Sequence, residues 1–337
     1  METFDLATKT LYADFQESVA LRFRLEEAPG DTFVKKQVKN KTYWYRQSHD
    51  KQKNQQAYFG PANEKNTRYV EEQRQSRKKR LQQIRSLVTL ERRKIPILKK
   101  AGLVEIDRKS AKILHRFSRL RVTFEHGVLI GSMAFPVYSG ILGFKFDHQL
   151  LKTDIDVARN ESDGIAVTTT DALFAEVAEG LYAIPGLDHL NLPSSFLYQR
   201  EIKIDFLVPM LGKERRSYRF PGISGLGAQA LRYLDFLLEE RVNGLLLSPS
   251  RAIPVTVAHP ARFALHKMLV GVNRSDHEKA KQAKDFHQAS QLIIACAQEM
   301  PEALKKAISI LHRRGNKWAR NFERAKRHIT AAAREHL

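Results

Sequence analysis

The sequence predicts an α/β (α+β) protein, and three observations carry that expectation. Short β-forming runs alternate with helical ones between residues 101 and 257. After His259 the periodicity turns purely helical, and ahead of both regions lies a β-forming stretch followed by a long basic helix. The expected organisation is an N-terminal helix, hairpin and basic helix over 1–100, a compact α/β unit over 101–257 and a helical domain over 258–337. A chain of 337 residues with 42% apolar residues can bury a substantial core.

Taken in order, residues 3–27 have apolar positions at Leu6, Leu11, Phe15, Val19 and Phe23, consistent with a helix that ends before the turn signal "APGD". Residues 32–59 are rich in β-formers at both ends around a polar "SHDKQKNQ" middle, and are expected to form one hairpin closed by Gly60-Pro61. A long helix follows over 64–100, with a break expected near Pro96. In the centre, "GVLIG" is expected as a buried strand, "SMAFPVYSGIL" as a helix entered through Ser132, and "TDIDVA" as a strand. Next come "TDALFAEVAEGL" as a helix opened by Asp171, "SSFLYQ" and "REIKIDFLVP" as neighbouring strands, and "GLGAQALRYLDFLLEE" as a helix. "GLLLSP" and "AIPVTVAHP" add two strands before the helices "PARFALHKMLVG", "DHEKAKQAKDFHQASQLIIACAQEM" and two more basic ones.

Charge narrows the class of partner. The chain carries 57 Lys+Arg against 37 Asp+Glu, a net +20, which exceeds what solubility needs and is typical of proteins that meet polyanions. Residues 66–100 hold 12 Lys+Arg and 3 Glu, and residues 301–337 hold 10 and 3, so these two segments supply 16 of the excess charges. A basic helix can be merely solvated, but two of them favour nucleic acid. The single Cys296 excludes an internal disulfide and a cysteine-based zinc site, and "ASQLIIACAQEM" places it as a small buried helical residue. No stretch of about 18 apolar residues and no leader pattern is present, so a cytoplasmic location is expected.

The chemistry concentrates in "IGSMAFPVYSGILGFKFDHQLLKTDIDV". In a strand, Asp154 and Asp156 project from one face while Ile155 and Val157 face the other. Two like charges that close repel unless a cation lies between them, and a divalent metal is the obvious candidate. Gly131-Ser132, between a strand and a helix, can present free N–H groups to phosphate, although a turn with a cap is the commoner meaning of such a pair. In "IKIDFLVP" the residues Lys203, Asp205 and Leu207 share a face opposite Ile204 and Phe206. If that strand pairs beside "TDIDV", three carboxylates converge in a cluster suited to one or two Mg²⁺ ions.

The order of strand, Gly131-Ser132, helix, Asp154-x-Asp156 and a later strand with Asp205 resembles the nucleotidyltransferase fold of the DNA polymerase β superfamily. It is closest to a group of poorly characterised bacterial proteins of that superfamily, with likeness extending from "YWYRQ" to "KAKQAKDFHQA". The resemblance implies a mixed sheet with helices, an NTP substrate held at Gly131 and Ser132, and two Mg²⁺ ions on Asp154, Asp156 and Asp205. In it Asp205 also activates the acceptor hydroxyl. "PARFALHKMLVGVNRSDHEKAKQAKDFHQ" is similar to the helical region of abortive-infection-type nucleotidyltransferase toxins, which implies a catalytic, phosphate-contacting role for Lys267, a closing role for Asp285, and nucleotide contacts for Arg274 and Lys284. Read alone, Lys267 would be an ordinary surface lysine on an amphipathic helix.

Other conspicuous residues carry milder expectations. His259, His266, His277 and His287 lack metal-ligand spacing and are expected to be solvated or capping. "GISGLGAQ" lacks the lysine of a phosphate loop and is expected as a helix-entry turn. Tyr43, Trp44 and Tyr45 beside Lys35, Lys36, Lys39 and Lys41 can stack on bases or pack across strands, packing being the commoner.

The expected activity is Mg²⁺-dependent transfer of a nucleotidyl group from an NTP to a hydroxyl. The expected acceptor is RNA such as a tRNA 3′ end, contacted by helices 66–100 and 301–337, with a toxin or phage-defence role following from the tail likeness alone. The alternatives are a catalytically inactive nucleic-acid-binding module, and nucleotidylation of a protein or small molecule.

Overall fold

The structure is a computed structural model that describes residues 2–27, 31–47, 56–120, 127–147, 154–160, 175, 177–185, 192–213, 217–223 and 225–337. The chain forms two compact units, one of residues Met1–Gln16 with Ile95–Leu337 and one of Glu17–Lys94. The α/β fold class is as the sequence predicts. Among the described residues no helix is long and apolar enough to cross a membrane.

The smaller unit combines most of α1 (Leu6–Glu27), the strands β2 (Thr32–Val38), β3 (Lys41–Gln47) and β4 (Gln56–Pro61), and most of α2 (Glu64–Ala101). The expected single hairpin is instead a three-stranded antiparallel sheet, β2-β3-β4. Its first turn falls at Lys39 and Asn40, both at positive φ, the backbone that matches strand twist in a two-residue hairpin. Phe33, Trp44 and Val70 make its small core. Trp44 is buried and its Nε1 donates to Thr67 Oγ1 at 3.2 Å, while Tyr43 and Tyr45 both meet the Tyr58 ring, so the aromatic run packs. Arg22 and Glu91 form a wholly buried ion pair, with Glu26 as second acceptor for Arg22. The helix α2 runs through Pro96 without the expected break.

The larger unit is built on an eight-stranded mixed sheet. Its order is β12 (Arg241–Leu247), β13 (Ala252–Ala258), β5 (Val128–Ile130), β7 (Ile155–Ala158), β10 (Ile202–Pro209), β9 (Ser195–Tyr198) and β8 (Leu181–Ala183), with β11 (Gln229–Leu231) parallel to β10. A separate two-stranded ribbon pairs β1 (Glu2–Thr3) with β6 (Phe144–Lys145). The helix α3 (Arg108–Arg119) starts where Asp107 Oδ1 accepts from the N–H groups of Lys109 and Ser110 at 2.8 and 2.9 Å. Next, α4 (Gly131–Leu142) leaves β5 directly, and Tyr138 on it donates to the Ala258 carbonyl at 2.9 Å.

The segment expected as a helix over "GLGAQALRYLDFLLEE" forms β11 and then only the short helix α5 (Leu234–Leu238). Residues 229–231 find ladder partners in Leu207, Val208 and Pro209, and Tyr233 adopts positive φ between strand and helix. "GISGLGAQ" accordingly leads into a strand. The helix expected from Asp171 lies largely outside the described residues. After β13 come α6 (Pro260–Val272), α7 (Lys279–Glu299), α8 (Pro301–Arg313), α9 (Asn316–Lys326) and α10 (Ala331–Arg334), as the helical periodicity predicts. They bury their apolar faces in the same core as the sheet. Cys296 sits there, fully buried on α7, with burial raising its thiol pKa.

Candidate active site

Register places the acids. Parallel pairing of β7 with β10 sets Asp156 directly opposite Asp205, and antiparallel pairing with β5 sets Ile130, the residue before Gly131, on the other side of Asp156. Because side chains alternate along a strand, both carboxylates leave the same face, while Ile155, Val157, Ile204 and Phe206 are fully buried. Asp154, Asp156 and Asp205 line one cavity of about 700 Å³ together with Gly131 and Ser132.

This acidic wall is short of positive charge. The Asp156 carboxyl is pushed up to about 6 by burial, then by Asp205 and Asp154, with Lys267 and Lys203 opposing the rise. Asp205 is better satisfied, since Ser195 Oγ donates to its Oδ1 and Lys203 Nζ to its Oδ2, both at 2.6 Å. Gln229 Nε2 reaches both Ser195 Oγ and Asp205.

Gly131 has φ +67°, and a Cβ there would lie 2.1 Å from Asp156 Oδ2. Glycine is required both by the backbone and by the approach of the acid. The first N–H groups of α4 follow at this point, where no side chain caps the helix start.

The opposite wall comes from α6 and α7. Lys267 Nζ and Arg274 Nε donate to Oδ1 and Oδ2 of Asp285, each at 2.6 Å. Burial alone would raise the Asp285 pKa, but these two cations hold it below the usual carboxylate value. Arg274 also pairs with Glu278 at 3.2 Å, and Lys284 Nζ reaches across to Ser132 Oγ at 3.0 Å. Lys267, Arg274, Lys284 and Asp285 all line the cavity that holds the three acids. Gly131, Ser132, Asp154, Asp156, Asp205, Lys267, Arg274, Lys284 and Asp285 are thus gathered at one place, from α4, β7 and the residue before it, β10, α6 and α7.

A nucleotidyltransferase family model matches residues 108–311, more than half of the chain and all of this site. The chain belongs to that family. No curated protein and no solved structure matches it.

The site residues of this nucleotidyltransferase suit a divalent cation in their chemistry. The donors on the sheet wall are carboxylate oxygens, the set that hard cations prefer, and the raised Asp156 marks negative charge without a full counter-charge. The three acids do not close into a ready cage: among the described residues no three His, Cys, Asp or Glu side chains group as one. Asp205 instead spends both oxygens on Ser195 and Lys203.

Sequence reasoning missed two residues at the nucleotidyltransferase site. Gln229 was hidden in a segment that reads as helix. His266 was expected to be solvated or capping, yet it lines the cavity. Burial, then Lys267, lower its pKa to about 3, so it stays neutral, and its Nε2 is buried with no partner among the described residues. No local signal marks either residue. His259 does cap, accepting from the Ala261 N–H at 3.3 Å.

Proposed function

We propose that this nucleotidyltransferase moves a nucleotidyl group from an NTP to a hydroxyl of RNA in a Mg²⁺-dependent reaction. The observation that carries the reading is the register of β7 against β10, which sets Asp156 and Asp205 side by side under the start of α4 and across one cavity from Lys267.

Asp154, Asp156 and Asp205 would hold one or two Mg²⁺ ions, which when bound neutralise the triphosphate and the charge that develops at the reacting phosphorus. Gly131 and Ser132 offer N–H groups and a hydroxyl to the β- and γ-phosphates. The acceptor oxygen attacks the α-phosphorus, its proton passes to Asp205, and the bond to the bridging oxygen of pyrophosphate breaks. Lys267 faces the departing charge, with Arg274 and Lys284 as further phosphate contacts, while Asp285 aims Lys267 and Arg274 into the cavity. The net charge of +20 supports RNA as acceptor in the cytoplasm, and the likeness of the tail to toxin enzymes supports a tRNA 3′ end and a defence role.

The test incubates the protein with each radiolabelled NTP, Mg²⁺ and total RNA. Label is expected in RNA with one or more NTPs and is lost with Asp154→Ala. Failure to label any RNA, with Asp154→Ala indistinguishable from the parent, overturns the reading.

A further inference from the structure

Through the middle of α2, residues 71–86, not one side chain is buried. From residue 73 to residue 90 the helix carries six Lys/Arg and no acid. Its two large apolar residues there, Leu81 and Ile84, are not buried either, so this stretch gains little from core packing and its surface is free to serve a partner.

Two of the six are committed: Arg74 donates to the Phe33 carbonyl at 3.0 Å and lies over the Trp44 ring, and Arg80 has its own interactions. Lys79 lies outside the groove described next, and the side chains of Arg77, Lys78 and Arg85 make no ion pair or hydrogen bond among the described residues. They line a shallow groove with Arg74, Leu81 and Gln82, in which Arg77, Leu81 and Arg85 follow one another at intervals of four residues and Lys78 lies beside them. At 1.5 Å rise per residue, Arg77 to Arg85 spans about 12 Å of basic track.

On α2 itself Tyr69, eight residues before Arg77, is 44% exposed, with one face stacked on Phe59 and the rest of the ring open. Basic residues that follow a phosphate backbone, joined to exposed aromatic rings, are what single-stranded RNA requires.

The other basic segment is different. In the tail, Arg314 pairs with Asp235 and Glu239, Lys306 with Glu240, Lys305 with Glu302 and Lys326 with Glu323. Four of the ten Lys/Arg there are thus paired with acids, and Arg324 and Arg334 are tied to the carbonyls of Val272, Lys326 and Ile329.

We infer that single-stranded RNA is gripped by the Arg77, Lys78 and Arg85 face of α2, with Tyr69 on the same helix as a base platform, and that the C-terminal helices contribute little to that grip. The inference rests on the RNA-acceptor reading above and assigns its binding surface. A second copy of the chain is the rival occupant, but it would set the acid-free run against itself.

The test titrates the full chain onto a short fluorescein-labelled single-stranded RNA between about 50 and 200 mM salt, following anisotropy. The triple variant Arg77→Gln, Lys78→Gln, Arg85→Gln is expected to flatten the slope of log affinity against log salt by about 2, from about 0.7 per lost phosphate contact. The charge-matched variant Arg313→Gln, Arg320→Gln, Arg327→Gln leaves the slope in place. Tyr69→Ala weakens binding at every salt concentration with the slope unchanged, and ATP binding by the first triple variant stays at the parental level, showing that its cavity is intact.

Equal flattening by both triple variants overturns the inference in favour of diffuse charge. No flattening by the first also overturns it, as does sedimentation that shows this variant breaking a parental dimer while RNA affinity holds. A parent chain that binds no RNA at any salt concentration removes the acceptor reading itself, a result distinct from all of these.

Discussion

The two walls of the cavity are built on opposite electrostatic plans. On the sheet side the Asp156 carboxyl is raised first by burial and then by its two neighbouring carboxylates, Asp205 and Asp154. On the helix side Lys267 and Arg274 share Asp285, whose pKa is lowered, so that wall is complete in the free protein. The difference teaches which groups are waiting for a ligand. The helix wall holds its charges in balance, whereas ionised Asp156 on the sheet wall carries unfavourable free energy that a proton or a cation can relieve.

The comparison can be broken most directly on the helix side. Replacing both cations, Lys267→Met with Arg274→Met, leaves Asp285 at 4% exposure without a counter-charge and is expected to cost about 3–5 kcal/mol in urea unfolding near pH 7. Adding Asp285→Asn should recover most of that loss. Since a depressed carboxyl contributes stability above its unfolded value of 3.8 and loses it as pH falls through its folded value, the deficit of the double variant should shrink in acid.

On the sheet side the sign reverses. With a folded pKa of about 6 against 3.8 unfolded, ionised Asp156 costs stability progressively as pH rises through that window. Asp156→Asn should therefore stabilise the ligand-free protein near pH 7 by up to about 3 kcal/mol, and the gain should vanish below about pH 4. The same variant should lose nucleotidyl transfer and the rise in melting temperature that Mg²⁺ gives the parent. Equal melting of the two proteins at neutral pH would mean that the acids are already balanced. Metal affinity, followed by calorimetry with Mn²⁺, should rise about tenfold per pH unit up to roughly 6 and then level off, as the metal displaces a proton.

Smaller effects sharpen the contrast. Gly131→Ala forces a side chain into a left-handed backbone, costing about 1–2 kcal/mol, and its Cβ displaces Asp156. Transfer should fall while the Lys267 network stays intact. Lys203→Gln removes a half-exposed partner of Asp205 and should change stability by less than about 1 kcal/mol, yet tighten Mn²⁺ binding by freeing an oxygen.

Much of this arrangement is legible before folding because strands obey a period of two. Asp154-x-Asp156 and Lys203-x-Asp205 declare a shared face each, and Gly131-Ser132 declares a strand-to-helix turn. What the sequence hides is register. Nothing local says that Asp205 stops opposite Asp156, or that Lys284 meets Ser132 from 152 residues away. Gln229 is invisible because "AQALRYL" has the apolar spacing of a helix until parallel pairing with β10 claims it. The charge count misleads in a similar way, since the acids at 235, 239 and 240 that neutralise Arg314 and Lys306 are far away in the chain. The Lys39–Asn40 turn escapes because neither residue is glycine, although asparagine tolerates the left-handed backbone that the hairpin needs.

The lone thiol sealed into α7 gives this protein an internal reporter. Cys296 is inaccessible in the folded state and has a raised pKa, so an alkylating reagent can reach it only when the helical core opens. The rate of its modification therefore times that opening directly, without an engineered probe. Slowing of that rate by nucleotide would show how far ligand binding in the cavity spreads into the body of the protein.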